Sequence, residues 1–176
     1  MSAFVPFVAQ PRVASSRRAF ACRLLAGALS AGALALPGAA RAETPLPAAR
    51  ELRAEARAAA AQGQPLVLMF SLPGCSYCEQ LRRSTYRWLL RDGVPVRQLE
   101  MVGGYRLLGF DGQATDGAAL AAHYGVHLAP TVLFLGPDGR EIGERLVGAG
   151  VPDFYGAFVD RSLGQAREHL KAGTGR

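Results

Sequence analysis

Two cysteines three positions apart, Cys75 and Cys78, are the residues of this chain best suited to chemistry. They follow a turn-forming Leu72-Pro73-Gly74 and open a stretch of helical pattern. A cysteine at a helix start meets unpaired backbone N–H groups and the positive end of the helix dipole, which stabilise its thiolate and make it a nucleophile near neutral pH. Cys75 is therefore expected to attack. Cys78, one helical turn on and shielded, is expected to resolve the resulting mixed disulfide by closing a Cys75–Cys78 bond. A lone C-x-x-C has rival readings. It is half of a zinc site when a second ligand pair exists, and His123 with His127 is the only pair on offer. Those histidines lie far outside the short finger spacing and no second C-x-x-C is present, so no metal is expected. Covalent haem needs a histidine directly after the second cysteine, where Glu79 stands. A purely structural bridge would close too small a loop to restrict the unfolded chain much. No cofactor is expected beyond the redox-active disulfide itself.

The elements around the pair must hold it in place. Upstream, Pro65 to Ser71 is a continuous apolar run between Gly63 and Pro73, the pattern of a strand covered on both faces. Before it, Ala48 to Gln62 is rich in Ala, Arg and Glu and reads as a helix with Leu52, Ala56 and Ala59 inward. After the cysteines, Glu79 to Arg91 reads as a helix with Leu81, Thr85, Trp88 and Leu89 as its apolar stripe, ended by Asp92-Gly93. Val94 to Val102 reads as a second strand, 103 to 116 as a glycine-rich loop, and Gly117 to Tyr124 as a short helix. Thr131 to Leu135 and Glu141 to Val147 flank Gly136-Pro137-Asp138-Gly139-Arg140, a hairpin signal. Pro152 to Lys171 closes the chain as a helix with Phe154, Phe158 and Leu163 inward. Alternation followed by a hairpin predicts an α/β fold with a mixed central sheet of about four strands flanked by helices.

Charge and the N-terminal segment point to export. The 176 residues carry 20 Lys and Arg against 14 Asp and Glu. Five of those arginines lie in residues 1–42, which contain no acid, leaving 15 basic residues from position 43 onward. The body is nearly neutral, so no nucleic-acid partner is expected. Residues 1–42 read as a secretory signal: a basic stretch ending Ser16-Arg17-Arg18-Ala19-Phe20, an uncharged run Leu24 to Leu36, and small residues up to Ala42. The paired arginines resemble a bacterial twin-arginine signal. The uncharged run is shorter than the roughly 20 apolar residues a membrane span needs, so no stable insertion is expected after cleavage. Residues 43–176 would then form one domain with two cysteines in the periplasm, where disulfides persist.

With these residues in hand, the chain resembles the thioredoxin superfamily over most of residues 48 to 172. The strand into Pro73-Gly74-Cys75-Ser76-Tyr77-Cys78 resembles the family's active-site turn, and Tyr124-Gly125-Val126-His127-Leu128-Ala129-Pro130-Thr131 resembles the segment carrying its cis-proline. The resemblance implies a thioredoxin-like fold. It implies Pro130 as the cis-proline that docks substrate, and Gly74, Tyr77, Ala129 and Thr131 as substrate-contacting positions. Met69 stands where thioredoxin has a buried acid, which leaves Glu100 on the neighbouring strand as the candidate proton relay. His127 falls near the mouth of the site. The Pro-Gly-Cys-x-x-Cys turn and Gly150 to Tyr155 are similar to periplasmic thioredoxin-like proteins tied to sulfur oxidation or fed by membrane thiol reductases.

The function expected is a monomeric periplasmic thiol:disulfide oxidoreductase that reduces disulfide-containing proteins or small molecules and draws electrons from a membrane thiol reductase. A disulfide oxidant or isomerase stays open, since sequence does not fix the potential. So does a non-catalytic peptide-binding or chaperone module on the same fold. By family resemblance an oxidant carries a helical insertion and an isomerase a dimerisation domain, for which residues 43–176 leave no room.

Overall fold

The structure, a computed structural model, describes residues 45–174. The chain separates into two units, 1–41 and 42–176, and everything below belongs to the second. The expected signal over 1–42 lies outside the described residues.

The apolar run after Gly63 forms β1 (Leu66–Ser71), buried at every position. It is the second strand of a four-stranded sheet completed by β2 (Val96–Glu100), β5 (Thr131–Leu135) and β6 (Leu146–Val147), ordered β2-β1-β5-β6. β1 runs parallel to β2, Val67 opposite Val96 and Ser71 opposite Glu100, and antiparallel to β5, Leu66 opposite Leu135. This is the thioredoxin-like arrangement expected, a mixed sheet flanked by helices. Strand alternation divides the core in two. Leu66, Leu68 and Phe70 pack with Leu52 and Ala56 of α1 (Leu52–Ala60) and Leu120 of α4 (Gly117–His123). Val67 and Met69 pack on the opposite face with Cys78, Tyr86, Tyr155 and Leu163.

Five local expectations are corrected. First, helix α1 begins at Leu52, not Ala48, because residues before it cover the outer edge of β2. Gln98 N–H donates to Pro47 O and Ala49 N–H to Gln98 O, both at 2.9 Å. An edge strand's unpaired groups outcompete local helix propensity there. Second, the helix after the cysteines is α2 (Ser76–Leu81), a π-helical turn (Arg82–Tyr86) and α3 (Arg87–Arg91). The wider turn shifts the register, so Tyr86 is buried in place of Thr85 and Trp88 turns outward, 48% exposed. Arg91 lies 4.7 Å from its ring centroid.

Third, the glycine-rich loop contains a hairpin, β3 (Arg106–Leu108) and β4 (Ala114–Asp116), closed by Gly109 N–H to Gln113 O. Three-residue strands with one buried side chain, Leu107, leave no periodic trace. Fourth, the strand expected from Glu141 is reduced to an isolated bridge, Leu135 to Glu141, and the two residues of β6. Between them Gly143 backs onto α5 (Pro152–Thr174) so closely that a Cβ would lie 2.5 Å from Ser162 O. Fifth, α5 buries Tyr155, Val159, Leu163 and Ala166, while Phe154 and Phe158 face out. Both stripes are apolar, and periodicity alone does not choose between them. Among the described residues no helix is long and apolar enough to cross a membrane.

Candidate active site

The C-terminal end of β1 feeds the turn that carries the cysteines. Gly74 takes φ +70°, a conformation that other side chains resist, and Cys75 N–H closes the turn onto Leu72 O at 3.3 Å. Cys75 is then the N-cap of α2. Its sulfur accepts the backbone N–H of Cys78 at 3.2 Å, and its carbonyl accepts Glu79 N–H at 3.1 Å. The two sulfurs are bonded, with Cα atoms 5.2 Å apart. Cys75 is half-buried at the surface, whereas Cys78 is fully buried. An approaching disulfide can therefore reach Cys75 alone, and the N–H already aimed at its sulfur would stabilise a thiolate there.

The second wall comes from the start of β5. The Ala129–Pro130 peptide is cis. Pro130 O accepts Gly148 N–H at 2.7 Å, which ties this loop to the chain just after β6, and Thr131 Oγ1 donates to Leu128 O at 2.7 Å. Ala129, Ala149 and Cys75 all pack against the core layer that holds Cys78, which brings the two motifs to one end of the sheet. Tyr77 is 63% and Leu128 55% exposed. Glu100 ends β2 opposite Ser71 with an exposed side chain, and His127 is exposed.

Beneath the pair lie two arrangements that sequence reasoning missed. Arg82, with only 12% of its side chain exposed, donates from Nε to Gln98 Oε1 at 2.8 Å and from Nη2 to Ser71 Oγ at 2.9 Å, and is ion-paired to Glu79. An arginine among others on a helix gives no signal of this kind; the buried Ser71 after five apolar residues was the available clue. On the other side, the hydroxyls of Tyr86 and Tyr155 meet at 2.8 Å with their rings edge-on. Burial, then the neighbouring phenol, raises the Tyr86 pKa well above its ordinary value. Burial pushes that of Tyr155 up to about 12. Among the described residues no cluster of His, Cys, Asp or Glu could hold a metal ion.

A profile of the thioredoxin-like domain matches residues 52–159, from α1 into α5 and across both motifs. The chain belongs to the thioredoxin-like domain family. No curated protein sequence matches significantly. Among solved structures it is similar to thioredoxin NaTrxh of Nicotiana alata, 16% identical over 68% of this chain and 96% of that one, with a TM-score of 0.44. It is likewise similar to the periplasmic thioredoxin SoxS of Paracoccus pantotrophus in its reduced form, 26% identical over 57% and 97% of the two chains, TM-score 0.40. A thioredoxin mutant of Halobacterium salinarum is 19% identical over 67% and 91%, TM-score 0.45. Set in this family, the chain combines a bonded C-x-x-C with a cis-proline and has apolar Met69, fully buried, in the strand beneath.

Proposed function

We infer that this protein is an exported thiol:disulfide oxidoreductase that works as a dithiol reductant in the periplasm. In the reduced form the Cys75 thiolate attacks one sulfur of a substrate disulfide and expels the other as a thiolate, which takes a proton from solvent. Cys78 then loses its proton, attacks Cys75 and releases the second substrate sulfur. Two electrons have passed to the substrate, and the Cys75–Cys78 bond seen in the structure is the product. The observation that carries this reading is the hydrogen bond from Cys78 N–H to the accessible Cys75 sulfur at the head of α2. A purely structural bridge has no need of a half-buried, N-capping sulfur at the surface.

The surroundings favour a protein substrate. Tyr77 in the cysteine turn and Leu128 before the cis-proline are exposed at the same end of the sheet, which Gly74 and Ala129 share with the buried Pro130 and Thr131. Such a surface suits an extended chain better than a small molecule, which binds in an enclosed pocket. Glu100 and solvent are the candidates for handling the Cys78 proton. The signal pattern over 1–42 supports export by a twin-arginine route, and a membrane thiol reductase is the matching electron donor for a monomer working there. The reducing direction is supported by the short path from β2 to β5, one small hairpin and one seven-residue helix, with no helical insertion between them. Equilibration with glutathione tests it. A potential near about −270 mV is expected, and one near about −120 mV would identify an oxidant instead.

A further inference from the structure

Met69 creates a problem that the rest of the site must answer. Cys78 is fully buried and must ionise before it can resolve the mixed disulfide, and burial without a partner opposes ionisation. The strand below offers Met69 in the same core layer, which neither accepts a proton nor stabilises a charge. A cation stands one helical turn further along, with its side chain anchored to the neighbouring strands. Arg82 follows Cys78 by four residues, so the two side chains leave neighbouring positions on one helical face, about 6 Å apart at Cβ.

Its guanidinium is held from three directions. Nη2 donates to Ser71, one pleat beyond Met69 on the α2-facing side of β1. Nε donates to Gln98, the direct cross-strand neighbour of Met69 on β2. The remaining nitrogen meets Glu79. A nearly buried arginine ordinarily carries a full counter-charge; here two of its three anchors are neutral and the third, Glu79, is 52% exposed, so its field is screened by water.

We propose that Arg82 is a positioning residue for the resolving step, stabilising the Cys78 thiolate electrostatically in the place where an acid would otherwise relay its proton. The inference rests on the reading of the pair as a thiol:disulfide exchange centre. In the step itself the Cys78 thiol gives its proton to solvent. The thiolate then forms the bond to Cys75 while the Cys75–substrate bond breaks, and the substrate sulfur leaves with the electron pair. Other charged groups surround Arg82. Arg83, Arg87 and Glu100 line, with Glu79 and Arg82, a cavity of about 270 Å³. The buried phenols of Tyr86 and Tyr155, in the same core layer as Cys78, are neutral at working pH. Glu79 and Arg82 are the charged residues of α2 and its continuation nearest in sequence to Cys78.

The test isolates resolution in the full-length reduced protein carrying Cys22→Ser, which leaves Cys75 and Cys78 as its two thiols, by stopped flow with an aromatic disulfide, 5,5′-dithiobis(2-nitrobenzoate). Release of the first thionitrobenzoate reports Cys75 attack and depends on reagent concentration. Release of the second reports Cys78 attack and does not. In Arg82→Met the pH midpoint of the second phase is expected to rise by about one unit, the low end for loss of an opposite charge at this range because Glu79 offsets part of it. At pH 7 the thiolate fraction falls about tenfold while its nucleophilicity rises, for a net slowing of about threefold. Arg82→Lys should stay within about twofold of wild type, because the charge remains. Glu79→Gln, at an exposed position, should shift the midpoint down.

A loosened helix would move Arg82→Met and Glu79→Gln in the same direction, so parallel shifts overturn the proposal, as does an unmoved midpoint in Arg82→Met. Should Arg82→Met fail to fold, Glu79→Gln decides, and no downward shift overturns it. Absence of any second phase in the wild type would instead remove the exchange reading on which the proposal stands.

Discussion

Replacing the buried tyrosine pair one residue at a time gives a stability effect whose sign depends on the partner. Tyr86 is fully buried and Tyr155 nearly so, with hydroxyls 2.8 Å apart in an otherwise apolar layer. Tyr86→Phe keeps the ring and its edge-on contact at 6.3 Å but leaves the Tyr155 hydroxyl without its partner. The cost is the lost hydrogen bond plus the desolvation of a stranded hydroxyl, about 1–3 kcal/mol, and Tyr155→Phe should cost a similar amount. The double variant strands nothing. Both phenol groups give way to ring C–H of nearly the same shape, and stability should return to within about 0.5 kcal/mol of wild type. Urea unfolding of the oxidised protein, followed by far-ultraviolet circular dichroism, measures this directly. With a slope of about 2 kcal/mol/M, each single variant should move the midpoint down by about 0.5–1.5 M. A double variant as unstable as the sum of the two singles would show that the hydroxyls do not act as a pair, and would refute the reasoning.

Three further outcomes follow from the same contacts. Gly117→Ala should destabilise the fold by more than about 3 kcal/mol, read by urea unfolding, because the added Cβ would lie 1.8 Å from Glu100 O at the end of β2, where only backbone could move. Ser162→Ala should be neutral or stabilising by up to about 1 kcal/mol in the same assay, since the buried Ser162 hydroxyl has no hydrogen-bond partner to lose. A loss above about 1 kcal/mol would contradict that. Stability should also fall at alkaline pH. The folded phenols of Tyr86 and Tyr155 hold their protons above the ordinary value of 10, so their contribution is full below pH 10 and is lost as pH rises towards about 12. Thermal unfolding between pH 9 and 12 checks it. Removing both phenols should flatten the fall in part, the remainder coming from Tyr124, which burial and nearby Glu141 and Asp138 push up to about 12.

The sheet and the site motifs were readable because each leaves a strong local mark. Five apolar residues in a row, Leu66 to Phe70, between Gly63 and Pro73 mark β1 as a covered strand, and the C-x-x-C with Ala129-Pro130-Thr131 names both walls of the site. The misread elements share a different cause, that their orientation is set by a distant partner. Trp88 and Thr85 look inward on a regular helix, and the π turn that brings Tyr86 to Tyr155 reverses them. Phe154 and Phe158 are the bulkier apolar stripe of α5, yet Tyr155 and Val159 are buried. Ala48 to Glu51 has helical composition but bridges β2 at Ala48 and β3 at Glu51. Arg82 was invisible as a site residue, because its role depends on Ser71 and Gln98, remote in sequence and joined only by the fold.

The most direct test of the central claim is reduction of insulin by the full-length wild type, Cys75→Ser and Cys78→Ser with dithiothreitol as the electron source. Wild type should accelerate precipitation of the reduced chains, Cys75→Ser should fall to the uncatalysed rate, and Cys78→Ser should accumulate a mixed disulfide through Cys75. Activity that survives in Cys75→Ser, or a mixed disulfide trapped on Cys78 instead, would contradict the assignment of Cys75 as the nucleophile.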